Sequence, residues 1–326
     1  FVAALAADGT PSAVIRVPAR GYLLERRAIK ALCVAEQPSI VHTHGYRPDV
    51  IDAAAARSIG VTTVTTVHGF TGGGFKNKLN EWLQVKSLHR FAAVIAVSDH
   101  LANRLRKLDV PARLLHVVPN AFEANRPLLD RETARSRLGI APHAYVVGWV
   151  GRLGREKAPD ILIAAVARMR RDGLGVSIIG DGPERADLEA RCRALGIEDV
   201  VRFHGLVTDA GSYFAAFDAF ALSSRTEGLP VVLLEAMAAR VPIAASRAGG
   251  VPEMLTDGLD AWLVPLEDPA ALAAALSHIR DHPDAAQARA AAAGERLARD
   301  FALDAWVRKY DAVYRSVLTA RASVAT

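Results

Sequence analysis

The chain has 326 residues, 51% of them hydrophobic and 23% charged, and a formal net charge of +5. This balance excludes a disordered or fibrous protein, and the length predicts two domains because a single hydrophobic core stops growing at roughly 250 to 300 residues. The basic residues are dispersed among acidic ones and form no dense run with aromatic residues, so nucleic acid is not expected as a partner.

Short β-rich runs alternate with Ala-, Leu- and Arg-rich helical stretches in the first part of the chain. We predict strands at residues 39–44, 62–68, 92–98 and 114–119. Such alternation is typical of a parallel sheet covered by helices, and residues 1–120 are predicted to form one such domain.

A polar, Pro-containing segment follows, and the domain boundary is predicted at about 120–143. The second domain, residues 144–302, has predicted strands at 145–150, 175–179, 200–203, 219–222 and 242–245. Ligands of doubly wound sheets lie beyond the carboxyl ends of the strands, so the ligand site is predicted in the interdomain cleft. Apolar residues at helical spacing predict a terminal helix, about 303–320, that docks on the first domain.

The strongest motif follows the predicted strand at 219–222. A loop ending in Glu227-Gly228-Leu229 leads to Pro230, which opens a predicted helix over 231–239. Proline is favoured in a first helical turn, and a preceding glycine lets a ligand approach the backbone. The free amides and the dipole of the helix start favour an anion, so we predict a phosphate site here.

Two carboxylates frame this helix start, Glu227 before it and Glu235 inside it. The residues around Glu235 are apolar, and a carboxylate among apolar residues needs hydrogen-bond donors, which ligand hydroxyls would supply. A solvated helix face is the alternative interpretation of Glu235.

Two cations five residues apart, Arg152 and Lys157, follow Gly151 at the end of the strand at 145–150. A guanidinium and an ammonium in this arrangement can bind a diphosphate, although surface Arg and Lys are more often solvated.

Two other phosphate motifs are excluded. Arg185 occupies the third-glycine position of a dinucleotide fingerprint after Gly180-Asp181-Gly182-Pro183. Asn77 stands after Lys76, where a P-loop needs Ser or Thr. Neither nicotinamide nor ATP-hydrolysis chemistry is predicted.

Histidines end two strands of the first domain, His42 and His44 on one strand and His68 on the next. An imidazole at a strand end can exchange a proton near neutral pH, whereas a single histidine is more often a structural residue. His42 and His44 share a strand face and could bind a metal, but no third ligand is apparent, and we predict no metal site.

No run approaches the roughly 18 apolar residues that cross a bilayer, so the chain is not expected to span a membrane. The isolated Cys33 and Cys192 are interpreted as small buried residues of a cytoplasmic protein. Basic and apolar residues alternate over 75–108, a pattern that predicts either peripheral contact with an anionic membrane surface or a helix covering the first sheet.

With these motifs assembled, the chain resembles the family 4 retaining glycosyltransferases. The resemblance covers about residues 40–315 and rests on Gly151-Arg152-Leu153 with Lys157, Gly180-Asp181-Gly182-Pro183, Phe203-His204-Gly205, Glu227-Gly228-Leu229-Pro230 through Glu235-Ala236-Met237-Ala238, Ala248-Gly249-Gly250-Val251-Pro252-Glu253 and Asp257-Gly258. It implies an α/β GT-B fold, two doubly wound, Rossmann-like parallel-sheet domains facing a cleft, and a metal-independent enzyme.

The resemblance also implies roles for the motif residues. Arg152 and Lys157 would neutralise the diphosphate of a nucleotide sugar, and Glu235 would hold the ribose. Glu227, with Gly228, Leu229 and Pro230, would hold the sugar. His68 would contact that sugar from the other domain, Gly205 and Leu206 would read the base, and Asn120 would lie in the hinge.

The implied function is transfer of a sugar from a nucleoside-diphosphate sugar, uridine diphosphate being preferred, to a hydroxyl acceptor: a glycan, a lipid-linked molecule or a small molecule. No cofactor is implied. Such enzymes build cell-envelope polysaccharides, with peripheral contact at the inner membrane surface expected. The alternatives are a non-catalytic ligand-binding protein and a GT-B epimerase or phosphorylase.

One segment and two single positions depart from the family pattern. Residues 1–17 resemble strands that come after the family's first strand, so that strand and its glycine-rich loop are predicted to be missing, which leaves the activity of this chain open. Ala121 replaces the usual hinge glycine, and Arg240 replaces the glycine after the Glu235 helix. Both replacements are interpreted as tolerated variation.

Overall fold

The computed structural model of the protein describes residues 2–70, 75–123 and 127–324. Its first sheet is parallel, with strand order β1-β2-β3-β4. The elements around this sheet are α1 (Val2–Ala7), α2 (Tyr22–Glu36), β1 (Ile40–His44), α3 (Ala53–Arg57), β2 (Thr62–Val67), α4 (Phe75–Leu88), β3 (Ala93–Ala96), α5 (Asp99–Lys107) and β4 (Leu115–Val117). A π-helical turn, Pro48–Asp52, precedes α3.

The second sheet is also parallel and has the order β10-β9-β8-β5-β6-β7. Its elements are α6 (Arg131–Leu138), β5 (Tyr145–Val150), α7 (Pro159–Val166), β6 (Leu174–Ile179), α8 (Arg185–Ala194), β7 (Val201–Gly205), β8 (Ala219–Leu222), α9 (Val231–Ala238), β9 (Ile243–Ser246), α10 (Val251–Met254), β10 (Trp262–Val264), α11 (Pro269–Asp281), α12 (Pro283–Asp300) and α13 (Leu303–Val324). A 3-10 segment, Ala210–Ala216, lies between β7 and β8. The predicted α/β architecture of two parallel sheets is confirmed.

All nine predicted strands are present, and none of their ends differs from the prediction by more than two residues. Several of these strands were identifiable because parallel strands covered on both faces are nearly continuous apolar runs. The fully buried β3 (Ala-Val-Ile-Ala) is an example.

Two parts of the strand assignment were wrong. The likeness of residues 1–17 to strands does not extend to their structure, since α1 is helical and the chain from 10 to 18 has no regular structure. In addition, β10 was not predicted; it is a three-residue edge strand that pairs with β9 alone. A strand this short carries too few residues to show a periodicity.

The terminal helix α13 returns to the first sheet. Its Tyr310, Val313 and Val317 are buried in one cluster with Val64 of β2 and Ile95 of β3. The chain therefore crosses back from the second sheet to cover the outer face of the first one.

Arg240, which follows α9, has a φ of 50°. This is the left-handed region, in which an L side chain costs roughly 1–2 kcal/mol relative to glycine. This φ angle explains why glycine is the usual residue at this position in the family that the chain resembles.

Cys33 and Cys192 are buried and unpaired, as predicted. Within the described ranges, no helix combines the length and the apolar character needed to cross a bilayer.

Candidate functional site

The carboxyl ends of β5, β6 and β7 meet in a tightly packed floor. Gly151 follows β5, Gly180 follows β6 and Gly205 ends β7. Gly180 has a φ of 133°, and a Cβ there would lie 1.8 Å from the carbonyl oxygen of Gly151. Only glycine fits this approach. The Gly180 amide donates to the Gly205 carbonyl at 2.8 Å, which joins the ends of β6 and β7.

Lys157 and Glu227 form an ion pair beside this floor. The Lys157 Nζ lies 2.8 Å from Oε1 and 2.9 Å from Oε2 of Glu227. The hydroxyl of Ser224 also donates to Glu227 Oε1, at 2.6 Å. The Glu227 side chain is 5% exposed and that of Lys157 29%. The buried carboxylate is therefore fixed from two sides, while the Lys157 side chain remains partly exposed.

Arg152 has a different carboxylate partner. Its Nη2 lies 2.5 Å and its Nε 3.1 Å from Oε1 of Glu156. The Arg152 side chain is 57% exposed, so this guanidinium retains donors that face solvent. Glu156 was not predicted as a partner, although its position four residues after Arg152 is a recognisable signal.

Glu235 lies on α9 between residues that enter the core. Leu234 and Ala236 are fully buried, while Glu235 itself is half-buried. A Cβ on Gly211 would lie 2.6 Å from Oε1 of Glu235, so the carboxylate lies against the 3-10 segment that follows β7. Leu206, at the start of that connection, is 84% exposed.

The segment before α9 contacts the first half of the chain. A Cβ on Gly228 would lie 1.9 Å from the carbonyl oxygen of His68. The Leu229 carbonyl accepts a hydrogen bond from the side-chain amide of Asn120 at 2.8 Å. The helix start of α9, where Pro230 precedes Val231, therefore adjoins both His68 and the connection between the sheets.

His68 also contacts another imidazole of the first sheet. Its Nε2 lies 3.0 Å from Nδ1 of His44. Both residues are exposed, yet the protein atoms around them lower the pKa of each imidazole through desolvation, and the neighbouring His44 lowers the pKa of His68 further. Each ring is therefore held in its neutral form at neutral pH.

His42 and His44 stack at a ring-centroid distance of 4.5 Å, on one face of β1. Each ring also hydrogen-bonds to a non-metal partner, His42 to Tyr314 and His44 to His68. Among the described residues, no group of three or more His, Cys, Asp or Glu side chains is arranged to hold a metal ion.

The structure thus brings part of the predicted site together: Glu227 holds Lys157, and the neighbouring Gly228 lies against His68. Lys157, Glu227 and the floor glycines come from the second sheet, and His68 comes from the first. Glu253 was missed as a contact across this cleft: its carboxylate accepts from the backbone amides of Asp99 and His100 at 2.8 and 2.6 Å.

Comparison with known proteins identifies the family. The glycosyltransferase family 4 description matches residues 6–126, and the glycosyl transferases group 1 description matches residues 144–282. The chain is 32% identical over 243 residues to the lipopolysaccharide core biosynthesis glycosyltransferase LpsD of Rhizobium meliloti, an alignment that covers 73% of this chain and 67% of LpsD. The chain belongs to glycosyltransferase family 4. It is a transferase enzyme.

Other relatives agree with this assignment. A D-inositol 3-phosphate glycosyltransferase of Streptomyces scabiei is 34% identical over 308 residues, covering 86% of this chain and 68% of the relative. Across such curated relatives, the chain spans 38–68% of their length. Anabaena HepE, solved in complex with UDP and glucose, superposes with a TM-score of 0.87 at 23% identity, covering 97% of this chain and 89% of HepE. The fold of this family 4 enzyme is GT-B.

Proposed function

We propose that this family 4 enzyme is a retaining glycosyltransferase that moves a sugar from a nucleoside-diphosphate sugar to a hydroxyl acceptor. The observation that carries the proposal is the Lys157–Glu227 pair at the carboxyl ends of the second sheet, next to Gly228, whose backbone contacts the His68 carbonyl of the first sheet. A uridine diphosphate sugar is the proposed donor, supported by the UDP and glucose named for the HepE complex.

The geometry supports a division of roles within the donor site. Arg152 and Lys157 neutralise the diphosphate, because each presents its cation to the cleft while retaining one carboxylate partner. Glu227, with the backbone of Gly228 and Leu229 and the helix start after Pro230, holds the transferred sugar.

The nucleoside end of the donor is assigned to the segment after β7. Glu235 holds the ribose hydroxyls, and Gly205 and Leu206 contact the base, since the Glu235 carboxylate lies against the chain that follows Leu206. Gly151 supplies close backbone approach at the floor. His68 contacts the sugar from the opposite wall.

Retention of configuration follows from front-face attack in this proposal. Glu227 is a poor nucleophile, because both of its oxygens accept from Lys157 and one accepts from Ser224. The acceptor oxygen bonds to the anomeric carbon as the bond from that carbon to the phosphate oxygen breaks, and the acceptor proton passes to the departing phosphate. Charge stabilisation and positioning then supply catalysis without an enzymic nucleophile or a metal.

The acceptor side is assigned to the first domain, residues 1–120, with the donor side at 144–302 and the terminal helix on the acceptor domain. A cavity beside His68 is lined by Tyr46, Asn80 and Glu81, whose oxygen and nitrogen atoms suit a hydroxyl-bearing acceptor. The name of LpsD, a lipopolysaccharide core biosynthesis glycosyltransferase, supports a cell-envelope glycan or a lipid-linked acceptor.

A lipid-linked acceptor fits a cytoplasmic enzyme that binds the inner membrane surface. On α4, Val85 and Leu88 are buried in the core, whereas Leu79 and Trp82 are exposed near Lys78. The helix therefore covers the first sheet and still presents an apolar and basic outer face, which supports peripheral contact.

The deciding experiment is turnover of uridine, guanosine and adenosine diphosphate sugars with a panel of hydroxyl acceptors, followed by NMR of the product. We expect transfer from a uridine diphosphate sugar with the anomeric configuration kept. A product of inverted configuration would overturn the retaining assignment, and donor binding without transfer to any acceptor would favour a non-catalytic binding protein.

A further inference from the structure

We propose that His44 is a positioning residue for His68, which it holds in one orientation and one tautomer through a shared proton. This inference rests on the proposed function, in which His68 contacts the transferred sugar. It concerns a residue that has no contact with the donor in that proposal.

The placement of the two histidines follows from the sheet. β1 and β2 are parallel, with His44 opposite Thr66, so His68 lies two residues beyond the partner of His44 at the same edge. The His44 Nδ1 lies 3.0 Å from His68 Nε2. The planes of the two rings form an angle of 24°, and the ring centroids are 5.3 Å apart.

A contact between two imidazole nitrogens works only with one proton between them. One nitrogen must donate and the other must accept, so two cationic rings, or two rings with bare facing nitrogens, would lose the bond. The tautomer of His68 is therefore tied to that of His44. As a result, the Nδ1 of His68 is a donor when His44 donates to Nε2, and an acceptor when Nε2 donates to His44.

The His44 ring has its own support. It stacks on His42, and the Nδ1 of His42 lies 2.6 Å from the Tyr314 hydroxyl on α13 while its Nε2 lies 2.9 Å from the Thr66 hydroxyl. Thr66 contacts the Tyr310 hydroxyl at 2.9 Å. The helix that returns from the second half of the chain thus fixes the stack from behind.

The ionisable groups around the pair come from each neighbouring element. Asp49 of the π-helical turn favours the charged form of His44, whereas desolvation, the larger effect, lowers the pKa of that imidazole. The pKa of His42 is lowered to about 4 by desolvation and by its two histidine neighbours. Burial raises the pKa of Tyr310 and of Tyr314, so both remain neutral donors at neutral pH.

The backbone of His68 is already fixed, because its carbonyl abuts Gly228. Rotation of the side chain is the freedom that remains, and the contact with His44 removes it. The structure therefore separates two tasks: Gly228 sets where His68 lies, and His44 sets which way its imidazole faces.

The test compares His44→Leu with His44→Asn. Leucine fills the space without a polar atom, whereas the asparagine amide places a hydrogen-bonding atom close to the position of Nδ1. We expect His44→Leu to lower kcat by roughly 10- to 100-fold with little change in donor KM, and His44→Asn to remain within about 3-fold of wild type. His116→Leu, on β4, is the matched control for loss of an imidazole from the same sheet.

The pH profile supplies a readout that a structural defect would not move. His44 lowers the pKa of His68, so its removal raises that pKa, and the loss of activity on acidification should begin at a higher pH in His44→Leu. Equal damage by the asparagine and leucine variants, or an unshifted acid limb in His44→Leu, would overturn the proposal.

Nitrogen-15 NMR of the histidine rings tests the inference apart from transfer activity. Wild-type His68 should occupy one tautomer, and His44→Leu should give a mixture. An unchanged tautomer in His44→Leu would refute the positioning role even if transfer is observed. Conversely, absence of transfer by the wild-type protein would contradict the proposed function and leave this NMR result to decide the role of His44.

Discussion

The ammonium of Lys157 lies 2.8 Å from Oε1 of Glu227, a carboxylate that is almost completely buried. The two residues are 70 positions apart and reach one another because β5 and β8 are neighbours in the second sheet. Arg152 instead pairs with Glu156 from the same loop and remains largely exposed. The two proposed diphosphate ligands should therefore respond differently to mutation.

We expect Arg152→Ala and Lys157→Ala each to lower turnover by roughly 100-fold or more, since each removes a preorganised charge from the leaving diphosphate. Lys157→Ala should also lower the free energy of unfolding by about 1–3 kcal/mol, because it leaves a buried acceptor with fewer donors. Arg152→Ala should lower the free energy of unfolding by less than Lys157→Ala does, because the guanidinium is 57% exposed, although its partner Glu156 is 14% exposed. Steady-state kinetics and urea unfolding measure both effects.

Arg155→Ala is the control for loss of a cation from the same loop, and it should retain near-normal turnover and stability. Near-normal turnover in both Arg152→Ala and Lys157→Ala would contradict the diphosphate assignment. Equal losses of unfolding free energy would contradict the different environments of the two cations.

Mutation of the two carboxylates of the donor site should affect binding of different parts of the donor. Glu235→Gln should weaken uridine diphosphate binding by roughly tenfold or more, because hydrogen bonds to charged groups contribute about 1.5–3 kcal/mol. Glu227→Gln should leave diphosphate binding nearly unchanged and lower turnover, because its proposed contact is to the sugar. Calorimetry with the diphosphate alone compares the variants, and equal weakening would show that their roles are not distinct.

These assignments show what the sequence could and could not predict. The apolar runs of the strands and the glycines at their ends were readable locally, as was the common face of His42 and His44. The Lys157–Glu227 and His44–His68 contacts were not, because spacing along the chain says nothing about which strands become neighbours. Glu253 was quoted within a motif, but its contact lies on the other half of the molecule.

Transfer should continue in the presence of a chelator. The positive charges of Arg152 and Lys157 and the helix start after Pro230 offset the charge of the diphosphate, the task that a divalent ion performs in metal-dependent enzymes. The measurement is the initial rate in excess EDTA against the rate with added manganese. Complete loss in EDTA with recovery in manganese would refute metal independence.

Anionic vesicles should bind the protein weakly and in a salt-sensitive manner. The exposed Trp82 and Leu79 supply apolar contact and Lys78 supplies charge, so Trp82→Ala should reduce flotation with phosphatidylglycerol vesicles at low salt. Val307→Ala, which changes an exposed residue on α13, is the control. Flotation that is absent at low salt, or equal for Trp82→Ala and wild type, would contradict the membrane contact.

Glu253 should hold the two halves of the enzyme together. Its two oxygens accept from the amides of Asp99 and His100, the first residues of α5, so an anion from one half satisfies a helix N-terminus of the other. Such an interaction contributes up to about 2 kcal/mol, and a change of about 1.4 kcal/mol is tenfold in an equilibrium constant. In Glu253→Gln the charge is lost and an amide NH₂ group faces one of the backbone N–H groups. We therefore expect roughly a tenfold shift toward a more open arrangement, visible as a larger radius of gyration by small-angle scattering and a several-fold higher donor KM.

The matched control is Asp257→Asn, which alters a carboxylate of the same segment whose partner, Arg247, lies in the same half of the molecule. That variant should leave the radius of gyration and the donor KM unchanged. Donor binding and sugar transfer both require the two halves of the enzyme to be closed. Saturating donor should therefore restore most of the turnover of Glu253→Gln, whereas it should not restore the turnover of Lys157→Ala. A Glu253→Gln protein with wild-type scattering and wild-type KM would show that contacts such as that between Gly228 and His68 close the cleft without Glu253.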